Sequence, residues 1–455
     1  MYCFRTKCRA CGNQTLTPVV NLGLQPLANE FLTEGQTCSG FAPLQVMFCD
    51  RCTLAQLSVV VEPEVLYRNY SYVTSPSQTM HDHFVRLKHD IAVEFGHGAG
   101  NVVEIGSNDG ALLVFLQQQG FGRCVGIDPA ANLAQIANAR GVETLVGQFN
   151  TERAYAAKQI TGKVDVVIAR HVFAHIDNWD QFVDDLVALT ETSTLVCIEV
   201  PDTSALLDAA AFDTIYHEHL SYVTVRAVDF LLQNSPLYLH RVIRYPIHGG
   251  SMLLMLRRRD FSTQRHSSVD EALATEKVTL ERWLELDWIA KSRITRLAQL
   301  VEYFRVLDRR VCGYGASAKS SVWINACKFT AQQISFITDT TPQKIGKLSP
   351  GARIPIVPES RLTEDPKGLN AIMFAWNYRD EIVAKNKAFI EAGGNFILPV
   401  PHIDIIGNFT PGSTHRGKAE HSDCEKYLYP EKVASTSEIP MCANDKAGKI
   451  TTTTS

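Results

Sequence analysis

Twice in this chain a strand-like run leads into a glycine turn and then a helix, and that arrangement constrains the fold more than any other feature. The first begins at Asn101. Val102-Val103-Glu104-Ile105 reads as a buried strand, Gly106 to Gly110 as the turn, and Leu112 to Gln119 as a helix. Strand-like runs at Arg123–Ile127, Val164–Ala169 and Leu195–Val200 follow, with a helical stretch at Leu133–Ala139. The second begins at Arg310, where Val311-Cys312-Gly313-Tyr314-Gly315 precedes Ala316-Ser317-Ala318-Lys319. It continues through Ile334–Ile337, Ala371–Phe374 and Asn395–Leu398. Such alternation predicts an α/β fold with parallel sheets and helices on both faces. A length of 455 residues suits two or three domains. Between the two units, residues 269 to 308 carry apolar residues at helical spacing, which predicts one long helix or a pair.

Composition narrows the partners. The formal net charge is −4, with no basic surplus to favour DNA or RNA. Arg5, Lys7 and Arg9 are followed by no apolar run of the signal-peptide kind, and no membrane-spanning stretch is evident. A cytoplasmic protein, monomeric or weakly oligomeric, with a small-molecule partner is expected.

Six of the 12 cysteines fall within the first 52 residues. In a reducing compartment, clustered cysteines are more often metal ligands than disulfides. Cys8-x-x-Cys11 and Cys49-x-x-Cys52 form two knuckles that bring four thiolates to the corners of a tetrahedron. That set suits zinc and leaves no open coordination position, so the metal is expected to be structural. Cys3 and Cys38 have no matched partners.

In the first nucleotide-like unit, Glu104, Gly106, Ser107 and Asn108 stand at a glycine turn that departs from the dinucleotide spacing. Asp128 lies about 20 residues beyond that turn, where a carboxylate accepts ribose hydroxyls. Gly147 and Phe149 follow the next strand and are expected to border an adenine. With no pyrophosphate-binding glycine set, S-adenosylmethionine suits the pattern better than NAD. His171 and His175 follow a further strand, at the edge where the sites of such sheets lie. Tyr216, His217, Glu218 and His219 place four titratable side chains in a row. Histidine suits proton abstraction beside a carbonyl, and a tyrosine suits enolate stabilisation. Metal binding by His217 and His219 is a competing reading, weakened because i, i+2 side chains diverge.

Together these motifs resemble the deoxysugar C-methyltransferases. The shared set comprises the two CxxC pairs, Pro26-Leu27-Ala28-Asn29, the EIGSNDG turn, the YxEH motif at Tyr216–His219, His248-Gly249-Gly250-Ser251 and the Gly313–Lys319 turn. The resemblance runs from Cys8 to about His402. It implies methyl transfer from S-adenosylmethionine to a carbon alpha to the ketone, C-3, of a nucleoside-diphosphate 4-keto-deoxysugar. It further implies that His219 is the base, that Glu218 orients it, and that Tyr216 and His175 position the sugar or its enolate. His171 stands where relatives are expected to carry asparagine, next to the methionine end of the cofactor. Ser317 stands where proline is often found. Tyr72, Ser75, Ser77 and Lys319 are expected to face the sugar nucleotide.

The expected division is a zinc-binding module with a substrate-facing linker over 1–78, and a class I methyltransferase domain of Rossmann-like form over 79–245. A second, smaller Rossmann-like domain with the long helix follows over 246–402, then a disordered tail over 403–455. Three other readings stay open: methylation of oxygen, nitrogen or a non-sugar carbon, redox or epimerase chemistry on NAD in the second α/β unit, and a non-catalytic zinc-bearing binding protein.

Overall fold

The amino-terminal module contains β1 (Tyr2–Phe4), β2 (Thr17–Pro26), β3 (Phe41–Phe48), β4 (Ala55–Leu57) and β5 (Val59–Val61). The computed structural model describes residues 1–67, 78–96 and 100–407, all within one unit, Met1–Asn408. The expected substrate residues Tyr72, Ser75 and Ser77, and the tail from 408 onward, lie outside the described residues. Strand β3 alternates as a half-buried strand should, with Ala42, Leu44, Val46 and Phe48 inward. Strands β2, β3 and β4 pair antiparallel, and β1 pairs with β5.

Each CxxC pair closes a tight knuckle. Gly12 N–H donates to the Cys8 carbonyl at 3.0 Å and Thr53 N–H to that of Cys49 at 2.8 Å. Gly12 (φ 67°) and Thr53 (φ 63°) both take the left-handed conformation that turns the chain back. The four sulfurs of Cys8, Cys11, Cys49 and Cys52 lie within 4.8 Å of one another. The Cys8–Cys52 and Cys11–Cys49 separations are 3.4 and 3.5 Å. A zinc tetrahedron with Zn–S bonds of about 2.3 Å needs edges of about 3.8 Å, which this range brackets.

The second module is a seven-stranded sheet of β6 (Val102–Ile105), β7 (Cys124–Asp128), β8 (Glu143–Val146), β9 (Val166–Arg170), β10 (Leu195–Pro201), β12 (Leu237–Tyr245) and β13 (Ser251–Arg258). Its order is β12-β13-β10-β9-β6-β7-β8, the first five of these strands in sequence being parallel and β13 antiparallel between β10 and β12. The expected division at 245/246 therefore falls inside a hairpin of this sheet. The intervening β11 (Ser221–Tyr222) leaves it and pairs with β4 of the zinc module. Apolar cores fill both faces. On one, helix Trp179–Leu189 buries Trp179, Phe182, Val183, Leu186 and Leu189, a helical stripe. On the other, helix Gln78–Phe95 buries Met80, Phe84, Leu87 and Ile91.

The stretch read as one long helix or a pair is a pair, Ser267–Thr275 and Leu280–Val306. The break has a local cause. Glu276 turns its carboxylate to the backbone N–H groups of Val225 and Arg226 at 2.7 and 3.2 Å, capping the start of another helix. Thr279 then caps the long helix through Arg282 N–H. The third sheet contains β14 (Val311–Tyr314), β15 (Ile337–Asp339), β16 (Ile356–Pro358), β17 (Asn370–Met373), β18 (Asn395–Leu398) and β19 (Asp404–Gly407), ordered β16-β15-β14-β17-β18-β19. Strand β19 corrects the expected tail boundary at 403. Ile405 and Ile406 pair with Ile397 and Phe396, in a run too short for periodicity to reveal. Among the described residues no helix is long and apolar enough to cross a membrane.

The zinc module touches both other modules. Arg9, inside the first knuckle, donates to the Leu220 carbonyl at 3.0 Å and to Asp177 Oδ1 at 3.1 Å. Leu57 N–H also donates to Leu220, at 2.9 Å. On the other side, Ser321 Oγ donates to the Ala28 carbonyl at 2.7 Å, and Leu32 bridges to Leu348. A chelator is expected to release about one zinc per chain, followed by loss of the β4–β11 pairing and a fall in the thermal midpoint. Zinc colorimetry run beside thermal unfolding checks this, and a Cys49→Ser variant should copy the effect.

Candidate active site

The carboxyl ends of β6, β7, β9 and β10 frame the cleft. β6 is the topological switch point, with β7 on one side and β9 on the other. At its end Gly106 adopts φ 69°, and a Cβ there would lie 2.2 Å from Val172 Cγ2. Only glycine lets the turn pass so close to the loop after β9. Asp128, at the end of β7, accepts backbone N–H groups from Asn108 and Ala130, each at 2.8 Å, one on each oxygen. Each oxygen keeps a second lone pair for a ribose hydroxyl. Gly147 N–H donates to the Asp128 carbonyl at 2.8 Å, and Phe149 stands edge-on to Phe182 with centroids 5.6 Å apart.

Two buried polar atoms at this turn have no hydrogen-bond partner, Ser107 Oγ and Glu104 Oε2. The other Glu104 oxygen accepts from Arg170 Nε at 3.1 Å. Burial, only partly countered by Arg170, pushes the Glu104 carboxyl up to about 7. An acidic side chain short of a partner, a carboxylate with spare lone pairs and a close-approach glycine fit the cationic, ribose-bearing S-adenosylmethionine.

Histidines line the next part of the cleft. His171 and His248 both have left-handed backbones, φ 54° and 57°, unusual for non-glycine residues. Their rings meet edge-on at 5.1 Å. Glu199, fully buried on β10, takes His83 Nε2 at 3.0 Å and faces His171 Nε2 at 3.5 Å. Burial alone would raise the Glu199 carboxyl, but the nearby rings of His171 and His83 hold it well below the usual range.

His219 is part-buried in the turn after Thr214. Its Nδ1 lies 2.8 Å from the Thr214 carbonyl and its Nε2 2.7 Å from the Tyr216 hydroxyl. A carbonyl only accepts, so Nδ1 carries the proton and the Nε2 lone pair accepts from Tyr216. The His175 ring lies 5.2 Å away, centroid to centroid. Burial first, then His175, hold His219 well below the ordinary histidine value, with His171 and Lys319 adding to the effect.

Glu218, expected to orient His219, bonds to the zinc module. Its Oε1 accepts from Asn29 Nδ2 of the zinc module at 2.9 Å, and the Thr214 carbonyl fixes the ring in its place. The reason is geometric, since adjacent residues in a turn point apart. His217 is buried against the backbone of Ala42 and Pro43, away from a shared metal position with His219. Lys319 comes from the third module; its Nζ donates to Asn377 Oδ1 at 3.1 Å and stands 4.1 Å from the centre of the Trp376 ring.

In that third module the turn after β14 repeats the Asp128 geometry. Asp339, at the end of β15, accepts from Ala316 N–H and Thr341 N–H, each at 2.7 Å. Here, however, buried Lys344 stands 3.9 Å from the carboxylate, donates to the Ala316 carbonyl at 2.7 Å and lies beneath the Phe31 ring. The carboxylate that would accept ribose hydroxyls is here paired with a buried lysine, unlike Asp128.

The sequence reading gave no site role to Arg9, Arg170, Glu199, His83 and Trp376, and named Asn29 and His248 only within shared motifs. For Trp376 a signal was present, since Trp376-Asn377-Tyr378 directly follows a strand of the second alternation. For His83 and Glu199, one on a helix and one in a strand, only the fold brings the pair together.

Burial holds His175 and His217 down to about 4 and His248 to about 3. The unfolded chain, with histidines near 6.5, therefore binds protons first as pH falls. Stability from these groups is complete above about pH 6.5 and declines as pH drops toward their folded values. Thermal midpoints measured from pH 7.5 to 5 should fall, and His175→Gln should flatten that slope.

Comparison with known proteins places this geometry. Three family models match in order along the chain: "Putative zinc binding domain" over residues 8–67, "Methyltransferase domain" over 81–241 and "C-methyltransferase C-terminal domain" over 246–401. The C-methyltransferase NovU of Streptomyces niveus is 36% identical over 409 residues, covering 88% of this chain and 96% of that protein. Among solved structures, a SAM-dependent methyltransferase from Anabaena variabilis aligns at TM-score 0.32 and 13% identity, covering 42% of this chain and 100% of that one. One from Aquifex aeolicus aligns at TM-score 0.29 and 15% identity, covering 38% and 96%. With four thiolates set for zinc, a cleft fitted to S-adenosylmethionine and a relative matched across nearly its whole length, the chain belongs to the family of S-adenosylmethionine-dependent C-methyltransferases that includes NovU.

Proposed function

We propose that the chain methylates C-3, alpha to the ketone of a nucleoside-diphosphate 4-keto-deoxysugar, with His219 as the base. The observation that carries this reading is the bonding of the His219 ring. Its Nδ1 proton is committed to Thr214, and its Nε2 lone pair stands beside a phenol in a part-buried position. A neutral imidazole so held takes a proton from carbon without first losing one.

S-adenosylmethionine, when bound, supplies the electrophilic methyl group. His219 Nε2 takes the proton from the carbon alpha to the ketone, and the C–H electrons pass into the enolate. Tyr216 turns its O–H from Nε2 to the developing enolate oxygen, and His175 borders the same space. The enolate carbon would then use its electron pair to form the new C–C bond as the methyl–sulfur bond breaks, the electrons of that bond staying on the sulfur, which becomes a neutral thioether. Glu104, Gly106, Ser107, Asn108, Asp128, Gly147, Phe149 and His171 hold the cofactor. Lys319 is assigned to the sugar nucleotide, as are Tyr72, Ser75 and Ser77, which lie outside the described residues. Positioning and enolate stabilisation carry most of the rate.

Methylation of oxygen or nitrogen is the rival reading, and it needs no proton taken from carbon. Deuterium uptake at the alpha carbon of a nucleoside-diphosphate 4-keto-deoxysugar, without S-adenosylmethionine, separates the two. Uptake supports the enolate route; none in an active enzyme overturns it. His219→Ala is expected to lower turnover by about 10²–10⁴-fold with S-adenosylmethionine affinity retained. Near-normal turnover would remove His219 from the role. Asp128→Ala should do the converse, weakening S-adenosylmethionine binding in calorimetric titration by about 10-fold or more.

A further inference from the structure

We infer that Asp213 is a positioning residue for the methyl-transfer site, locked by two tryptophans of the carboxy-terminal module so that the neighbouring Thr214 carbonyl stays on His219. The inference rests on the reading of His219 as the base.

Asp213 lies in the short 3₁₀ turn Phe212–Thr214 and is fully buried. One of its oxygens, Oδ2, accepts two indole N–H bonds, from Trp376 at 2.7 Å and from Trp323 at 3.0 Å. Both tryptophans belong to the third module, whereas Asp213 belongs to the chain of the methyltransferase unit. Its other oxygen is buried without a hydrogen-bond partner. Burial raises the Asp213 carboxyl, while Lys319, the two indoles and Arg293 act in the opposite sense. A buried carboxylate that leans on neighbours to this extent is held in one place.

The turn is fastened at both ends. Upstream, Ala210 takes a left-handed backbone at φ 46°, and Arg293 of the long helix donates to its carbonyl at 2.7 Å. Phe212 packs edge-on against Trp323 at 4.5 Å. Downstream, the very next residue after Asp213 provides the carbonyl that fixes the His219 tautomer. The indole bonds are therefore one residue away from the group that decides which nitrogen of His219 carries the lone pair. Lys319 joins the two ends of this device, since it stacks on Trp376 and its charge also reaches His219. A third module that binds no reacting atom through Trp323 or Trp376 still sets the geometry of the base.

The test uses the full chain with ¹⁵N-labelled histidine. Ring-nitrogen NMR spectra are recorded for the parent, Asp213→Ala and Trp376→Phe, with His219→Gln assigning the signal. Trp376→Phe keeps a ring under Lys319 and removes one N–H, so it serves if Asp213→Ala does not fold. The parent should show a single His219 tautomer protonated on Nδ1. Either variant should show a mixture, with turnover on a nucleoside-diphosphate 4-keto-deoxysugar lowered about 10–100-fold and KM and S-adenosylmethionine affinity within about twofold. Asp213→Asn, which keeps an acceptor for the indoles, should recover part of the loss. An unchanged His219 tautomer in folded Asp213→Ala or Trp376→Phe overturns the inference. A mixed tautomer with undiminished methyl transfer would instead keep the lock and remove His219 as the base, so the two failures read differently.

Discussion

The environment of His219 is the constraint on which the proposed site depends. The proposed base has to be deprotonated before the substrate arrives, and burial favours the neutral ring without a neighbouring anion. Burial in turn requires walls. The zinc module supplies one through Asn29, whose amide ties Glu218. The seven-stranded sheet supplies the floor through the turns after β6, β9 and β10. The third module supplies the remaining wall through Lys319, Trp323 and Trp376. The zinc cluster is far from a reacting role, yet it fixes β4, and β4 fixes β11 and the carbonyl of Leu220 beside the YxEH turn.

The cofactor end of the cleft uses a different device. Asp128 and the glycine turn are rigid because backbone N–H groups already occupy both carboxylate oxygens. Pre-ordered in this way, the carboxylate loses little freedom when it takes up ribose hydroxyls. Glu104 and Arg170 form a buried pair that leaves one oxygen unused, which is a costly arrangement for an isolated protein and a useful one for receiving a cation.

Much of this was legible in the sequence, for identifiable reasons. Strand and helix alternation writes itself into periodicity, so both α/β units and their glycine turns were readable from Val102 and Val311 onward. The two CxxC pairs announce a tetrahedral site because spacing within a knuckle is local. What spacing does not encode is which side chain meets which across modules. The resemblance implied that Glu218 orients His219, whereas in the fold Glu218 meets Asn29 and His219 meets Thr214. Glu199, His83, Asp213 and Trp376 lie in four separate elements and converge only after folding. The hairpin of β12 and β13 hides for the same reason, since β13 inserts beside β10, far from it in sequence.

The repeated Asp turn bears on how such a chain tolerates change. Asp128 and Asp339 sit in equivalent places and make equivalent backbone bonds, but Lys344 has moved into the second. One copy remains a receptacle while the other has become a rivet, with Phe31 of the zinc module capping it. With Lys344 at its aspartate, the loops of the second unit that face the cleft lie apart from the Asp128 turn. Acceptor choice and methyl-donor binding would then drift independently, and a single scaffold could be retuned to new acceptors while its donor half stays fixed.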